Sequence, residues 1–467
     1  MFRTPKSSSI QNTILEWIFS EKYACGEMLP PIHTLSSIFK TSDKTVKSAL
    51  TNLKRRNIIK GINGKGIVVV KEPRHIGKGG VGICYVNEEL DAQRYFSATL
   101  DEYSGNNRTR DDYLIKKTVS SSDFIETLQT LWQQTGRSRK HNDAMLFFQD
   151  IFLTDVMQQS LLKKINFINF SELGICPGLL NPVTRGNDIF ALPLFYSPVM
   201  LCINKGICEK IGLAVPDNFA GFSEFSSLCS NLTERQGSKT VRYGFAVSPS
   251  AYRFPAIPAA FGGSLTAGRT NGQSERAVRA FESIYHMVKY DKSIIIAGTC
   301  SESTAEELFR SEKAAMILIS TYYLDKLASN KLPFKIITLP VPKEPEGKDV
   351  YMAEYMGIPA HTENISNAAQ FSNFFFSSDF KKKFSGMFST CHAGSVSLAD
   401  NKNNSSSGSN SLMIPIEDAI FLGRMCNSKY THVYADALAL LINDLFSPEE
   451  TIQFIEKRIP QPLQTIS

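Results

Sequence analysis

The sequence predicts an α/β chain built from a small, basic helical module and a large body of two lobes. Three observations predict it. Residues 1–75 carry 13 Lys/Arg against 5 Asp/Glu, a net +8, whereas the other 392 carry 38 against 40, so the whole excess of +6 sits in the first sixth of the 467 residues. The first 70 residues hold three amphipathic runs and then two β-branched runs around an Asn-Gly turn. Beyond them, strand-sized apolar runs alternate with helical ones over a length that exceeds what one core organises.

A composition of 42% hydrophobic and 21% charged residues excludes a largely disordered chain. No apolar run approaches the roughly 20 residues of a membrane span; the densest, Ala314–Ile319 and Ile294–Ala297, are strand-sized. The N-terminus has neither a continuous apolar stretch nor a small-residue cleavage site, so a cytoplasmic location is expected. The nine cysteines are odd in number and form no CxxC pair. Cys202 and Cys208 lie closest, without a nearby His pair, so buried reduced thiols are expected, with no metal and no cofactor.

In the N-terminal module Ser9 is placed as an N-cap, and Ile10, Ile14, Trp17 and Ile18 then recur on one helical face. Cys25-Gly26 and Leu29-Pro30-Pro31 end that pattern, and Leu35, Ile38 and Phe39 predict a short second helix. Thr41-Ser42 makes a turn and cap. Val46, Ala49, Leu50 and Leu53 predict a third helix whose opposite face carries Lys44, Lys47, Ser48 and Thr51. Strands over Ile58–Ile62 and Ile67–Val70 follow, joined by Asn63-Gly64-Lys65-Gly66, because Asn-Gly accepts positive φ. Three helices and a hairpin make a winged helix-turn-helix.

Residues 8–71 resemble the GntR-type winged-helix DNA-binding domain. The resemblance rests on Tyr23 and Gly26 before Leu29-Pro30, on Leu35 and Phe39, on Ser42 to Leu50, and on Leu53 and Gly64-Lys65-Gly66. It implies that the first turn of the third helix enters the major groove and the hairpin tip the neighbouring minor groove. The DNA-binding candidates are His33, Ser42, Lys44, Thr45, Lys47, Lys65 and Gly66. Two positions depart from the family pattern, His33 and Asp43 standing where arginines are usual. Neither makes the bidentate contacts of a guanidinium, so a different base preference is expected.

Residues 71–82 hold a Pro, several Gly and basic residues, which places a domain boundary near residue 75: a winged helix with linker over 1–75 and the effector body over 76–467. Gly77-Lys78-Gly79-Gly80-Val81-Gly82 imitates the front of a P-loop, but Ile83-Cys84 replaces the Lys-Ser/Thr that holds phosphate and Mg²⁺, so it is read as linker.

In the body, Ala144–Phe148, Ile189–Leu192, Val199–Ile203, Ala314–Ile319 and Phe334–Leu339 are predicted strands, and Glu275–Val288 and Ala305–Phe309 helices. Asn401–Ser411 reads as a polar loop, and Tyr434–Phe446 and Pro448–Ile459 as closing helices. Several stretches resemble the extracellular solute-binding proteins of carbohydrate ABC importers, with the type II periplasmic binding fold. They are Asn142–Phe147 with Asp150, Asp188–Pro193 with Leu201–Lys205, Phe309–Met316, Leu339–Pro342, Gly357–Pro359 and Ala368–Phe371.

That resemblance implies a ligand cleft, and sugar recognition uses aromatic faces together with carboxylates or amides that pair with hydroxyls. Carried over by position, the ligand-binding candidates are Gln149 and Asp150, Tyr196 and Ser197, Tyr252 and Arg253, Tyr322 and Tyr323, and Glu354 and Tyr355. The two tryptophans, Trp17 and Trp132, fall outside them.

Two alternatives compete. GntR-type domains are also fused to pyridoxal-phosphate aminotransferase-like bodies, but no Ser-x-Ser-Lys, GxSxG or HExxH is present, and the acid pairs Glu88-Glu89 and Glu306-Glu307 point apart. The other alternative is a body that binds a partner protein. The expectation is a non-enzymatic, cytoplasmic one-component regulator that binds double-stranded operator DNA as a homodimer and senses a small molecule, a sugar or oligosaccharide.

Overall fold

The structure, a computed structural model, describes residues 10–11, 13–14, 17–18, 22–55, 58–62, 64, 66–70, 81–86, 92–106, 114–119, 144–158, 160–165, 168–265, 271–298, 302–329, 332–360, 366–394, 419–425 and 431–459. The linker over 71–80, the polar loop Asn401–Ser411, Trp132 and Lys65 lie outside these. The chain divides into two compact units. The first comprises Met1–Glu89, Phe96–Phe147 and Gly357–Phe374, the second Leu90–Tyr95, Phe148–Met356 and Phe375–Ser467.

Within the first unit, helical Ile10, Ile14 and Ile18 are buried with Leu35, Val46, Ala49, Leu50, Leu53, Ile58, Ile67 and Val69 in one core, and Trp17 and Phe39 stack at its margin with centroids 5.4 Å apart. Helices Ile32–Ile38 and Asp43–Arg55 follow in the expected order. Strands Ile59–Ile62 and Gly66–Val69 pair antiparallel from Ile59↔Val69 to Ile62↔Gly66. The sheet has a third strand, Met28–Leu29, on the other side of Gly66–Val69, where the sequence suggested only a break. Gly26 donates to the Val69 carbonyl and Val69 to that of Glu27, which gives the segment before the prolines a ladder partner. Gly66 has φ +114°, a backbone conformation that favours glycine at the hairpin.

The same unit holds a parallel sheet in which Val81–Val86 lies between Leu114–Val119 and Ala144–Gln149. Aromatic contacts Phe96–Phe147, Phe147–Phe371 and Tyr103–Phe371, with centroids 5.1–5.5 Å apart, pack helices against it.

The second unit is organised by one long strand, Ala191–Asn204, with all fourteen residues buried. The sequence suggested two strands here, Ile189–Leu192 and Val199–Ile203. The structure runs them together because the partners change along the way. Cys391–His392 pairs with Phe195 and Tyr196, while Ala314–Ser320 and Ile336–Pro340 flank the half from Val199 on. Pro198 falls between the two sets of partners. Lys239–Val247 runs parallel to Ala314–Ser320, and Val350–Gly357 neighbours the long strand. Helix Asn271–Lys289 covers the expected 275–288, and Ser303–Arg310 the expected 305–309. The closing helices are Thr431–Ile442 and Pro448–Arg458, the latter started by a Ser447/Glu450 capping box.

Candidate functional site

The surface expected to meet DNA is built by a cap. The Ser42 hydroxyl accepts the Thr45 N–H at 3.3 Å and lies 2.9 Å from the Thr45 hydroxyl, so it satisfies one of the open donors at the start of Asp43–Arg55. Val46, Ala49, Leu50 and Leu53 bury one side of this helix and leave Lys44, Lys47 and Ser48 exposed on the other. Thr45 is half-buried, and His33 is exposed on the preceding helix with Nε2 3.2 Å from Thr34 Oγ1. Asp43 is tied down: Ser36 of the preceding helix donates its hydroxyl to the Asp43 carboxylate, so one of its oxygens joins the two helices. Gly66 lies at the hairpin, exposed.

All ten ligand candidates lie in the second unit, which sorts them into separate groups. Gln149, Asp150, Tyr322 and Glu354 come together. Gln149 ends strand Ala144–Gln149 and Asp150 follows it, Glu354 stands mid-strand in Val350–Gly357, and Tyr322 is the second residue of helix Thr321–Ser329. None exceeds 2% exposure. Gly423 donates its N–H to Asp150 Oδ2 at 3.1 Å. Asp150 Oδ1, both Glu354 oxygens, the Tyr322 hydroxyl and both Gln149 amide atoms make no hydrogen bond of ordinary geometry. Burial pushes the Asp150 carboxyl up to about 7 against the pull of the Gly423, Ala353 and Ile151 amides. Burial holds Glu354 well above the usual carboxylate range, with the charge of Asp150 adding to it and nearby Gln149 opposing it. Tyr322 is raised by burial and then by the charge of Glu354, which places its hydroxyl beside the acids. Unpaired polar atoms in a dry interior are costly.

Arg253 and Tyr323 form a second group. Arg253 Nη1 donates to the Leu318 carbonyl at 3.0 Å, its Nε lies 3.5 Å from Glu302, and its guanidinium sits 5.6 Å from the Tyr323 ring centre. Ser250 donates its hydroxyl to Glu302 and accepts the Tyr252 N–H at 3.3 Å; Tyr252 itself is half-buried. Adjacent residues on a helix point about 100° apart. That rotation sends Tyr322 to the acids and Tyr323 to a core of Met200, Cys202, Ile317 and Phe309.

The remaining candidates are held by other parts of the fold. The Tyr355 hydroxyl donates to the Leu179 carbonyl at 3.0 Å while its ring stacks on Phe148. The Ser197 hydroxyl accepts the Thr321 N–H. Tyr196 packs on Tyr351 at 5.8 Å and pairs across the sheet with Cys391.

Sequence reasoning missed Gly423 and Tyr95. A Cβ on Gly423 would lie 2.1 Å from the Asp150 carbonyl oxygen, so only glycine brings that N–H to the carboxylate, but a lone Gly in Phe421–Met425 carries no signal of it. The Tyr95 ring contacts Tyr322 with centroids 5.2 Å apart and its hydroxyl donates to Asp325. Its helical context gave no hint of this.

Residues 6–69 match the gntR family of bacterial regulatory proteins, and residues 116–391 match a family of bacterial extracellular solute-binding proteins. Among solved structures, the chain is similar to the ABC substrate-binding protein Lmo0181 from Listeria monocytogenes in complex with cycloalternan, at 14% identity and a TM-score of 0.63, over 81% of this chain and 97% of that one. It is similar to the GacH receptor of Streptomyces glaucescens, at 14% identity and 0.63, over 80% and 96%. Maltose-bound MalE3 of T. maritima matches at 16% identity and 0.61, over 81% and 98%. No curated protein matches. At these identities the likeness establishes the fold, a winged helix-turn-helix followed by a two-lobed periplasmic-binding-protein body, as the sequence motifs led one to expect.

Proposed function

We propose that this chain, which belongs to the bacterial extracellular solute-binding protein family and carries a gntR-type domain ahead of that match, is a cytoplasmic one-component transcriptional regulator whose body senses a carbohydrate. The observation that carries the reading is the union, on one chain, of a helix-turn-helix that exposes Lys44 and Lys47 with a sugar-binding fold. Both families are non-enzymatic, and among the described residues no group of three or more His, Cys, Asp or Glu could hold a metal ion and no helix is long and apolar enough to cross a membrane.

Gln149, Asp150, Tyr322 and Glu354 are the ligand residues in this proposal. Their oxygens and amide group match sugar hydroxyls, each of which donates once and accepts twice. These atoms are closed to water, so admission of the ligand requires the surrounding segments to separate, and the ligand favours whichever conformation pairs them. A homodimer would set two winged helices on a two-fold symmetric operator, and ligand would change their spacing.

Thermal unfolding of the full-length protein against a panel of mono- and oligosaccharides, with amino acids and nucleotides as controls, tests the reading. A saccharide at a hundred times its Kd stabilises by about 2.7 kcal/mol, a visible shift of the melting midpoint. The same saccharide must change the affinity for operator DNA. Stabilisation by an amino acid or nucleotide alone, or a sugar that leaves DNA binding unaltered, overturns it.

A further inference from the structure

The surface expected to meet DNA contains one residue of the opposite sign. Helix Asp43–Arg55 carries Lys44, Lys47, Lys54 and Arg55 against a single acid, Asp43, which stands in its first turn. Asp43 is exposed between exposed Ser42 and Lys44, on the turn expected to enter the major groove. A carboxylate there repels phosphates, so it weakens binding to every DNA sequence that offers it no partner.

A second observation gives the carboxylate a direction. Ser36 is half-buried on helix Ile32–Ile38, next to Leu35 of the core, and donates its hydroxyl to Asp43 Oδ1. The same hydroxyl lies 2.9 Å from the Ile32 carbonyl of its own helix and shares its proton between the two acceptors. Asp43 is thereby held across the turn between the two helices, with Oδ2 left for a partner outside the chain.

An ionised carboxylate only accepts hydrogen bonds. In the major groove guanine presents N7 and O6 and thymine presents O4, all acceptors that repel it, and adenine sets its N7 acceptor beside its amino group. Cytosine presents its N4 amino donor with no acceptor of its own beside it, so a single aimed oxygen matches cytosine best.

We infer that Asp43 reads a cytosine in each operator half-site by accepting a hydrogen bond from its N4 amino group, and that Ser36 is the positioning residue that aims it. The inference rests on the DNA-binding reading above and deepens it. The lysines attract any DNA, and the acid rejects the sequences that fail to pair with it.

The test is selection of a randomised duplex library by the full-length protein, read by sequencing, followed by anisotropy titrations on the selected site and its single-base variants. The parent is expected to select cytosine at one position of each half-site, by about tenfold or more over the other bases. In Asp43→Ala that preference falls to about twofold or less while the other positions keep theirs. The slope of log K against log salt does not fall, because no phosphate contact is lost. Asp43→Asn keeps the shape and adds an N–H donor, and it too moves that position away from cytosine. Ser36→Ala leaves cytosine preferred, but by a smaller factor.

An identical selected site in the parent and Asp43→Ala overturns the inference and leaves the DNA-binding reading standing. So does a position that depends on Asp43 but holds guanine, thymine or adenine in the parent, and so does a loss of preference at every position in both Asp43 variants. A parent that selects no sequence and shows no salt-dependent binding overturns the inference and the DNA-binding reading together.

Discussion

The Thr321 backbone N–H donates to the Ser197 hydroxyl at 2.7 Å, with both residues buried. The bond joins the middle of the long strand to the first residue of helix Thr321–Ser329, one position before Tyr322. An open donor at a helix start is thereby satisfied by a residue 124 positions away.

Ser197→Ala strips that acceptor and leaves the Thr321 N–H buried without a partner. The expected cost is about 1–3 kcal/mol, measured by urea unfolding. A variant as stable as the parent would show that the bond is dispensable.

Gly423→Ala drives a methyl into the Asp150 backbone, at 2.1 Å from its carbonyl oxygen. The segment must move, and the Gly423 N–H leaves the carboxylate. Loss of sugar-induced stabilisation is expected, with DNA binding by the free protein retained. Calorimetric titration with the stabilising sugar reads the first effect and fluorescence anisotropy the second.

The Asp150 carboxyl stands at about 7 in the folded protein against an ordinary 3.8, so the native state holds its proton more tightly than the unfolded chain. Its contribution is fully present below about pH 4 and is lost as pH rises through about 7, by an amount on the order of 4 kcal/mol. Asp150→Asn should therefore gain stability relative to the parent across that interval and level off above it, in denaturant titrations at stepped pH. A difference independent of pH counts against the buried acid.

His392 acts in the opposite sense. Burial between Phe375, Phe376 and Phe384 lowers its imidazole from 6.5 to about 3, with Nε2–H donating to the Phe375 carbonyl and Nδ1 accepting from Gly394. The unfolded chain takes up the proton first as pH falls below about 6.5, so the stability that the neutral ring contributes is lost toward acid. Nuclear magnetic resonance titration of the ring should find it neutral at pH 5.

Lys44→Ala and Lys47→Ala should each weaken operator binding and lower the slope of log K against log salt by about one, the signature of a lost phosphate contact. Lys239→Ala, an exposed lysine of the body, should leave the slope unchanged. Anisotropy titrations from about 50 to 200 mM salt measure both.

The helices of the N-terminal module were legible because Val46, Ala49, Leu50 and Leu53 repeat at helical spacing, and the hairpin because Asn-Gly marks a turn; both are local signals. Strand Met28–Leu29 was not, since its cross-strand partners are Val68 and Ile67, roughly forty residues on. In the body the sequence by itself determined the family, the alternation of strands and helices, and the residue types suited to a sugar. Only the tertiary structure decided which of them meet. It brought Asp150 and Glu354 together from positions 204 residues apart, turned Tyr322 toward them and Tyr323 away, and supplied the Gly423 amide. The physical reason is that periodicity reports which face of an element is buried, whereas the partner across that face is set by how distant strands pair and pack.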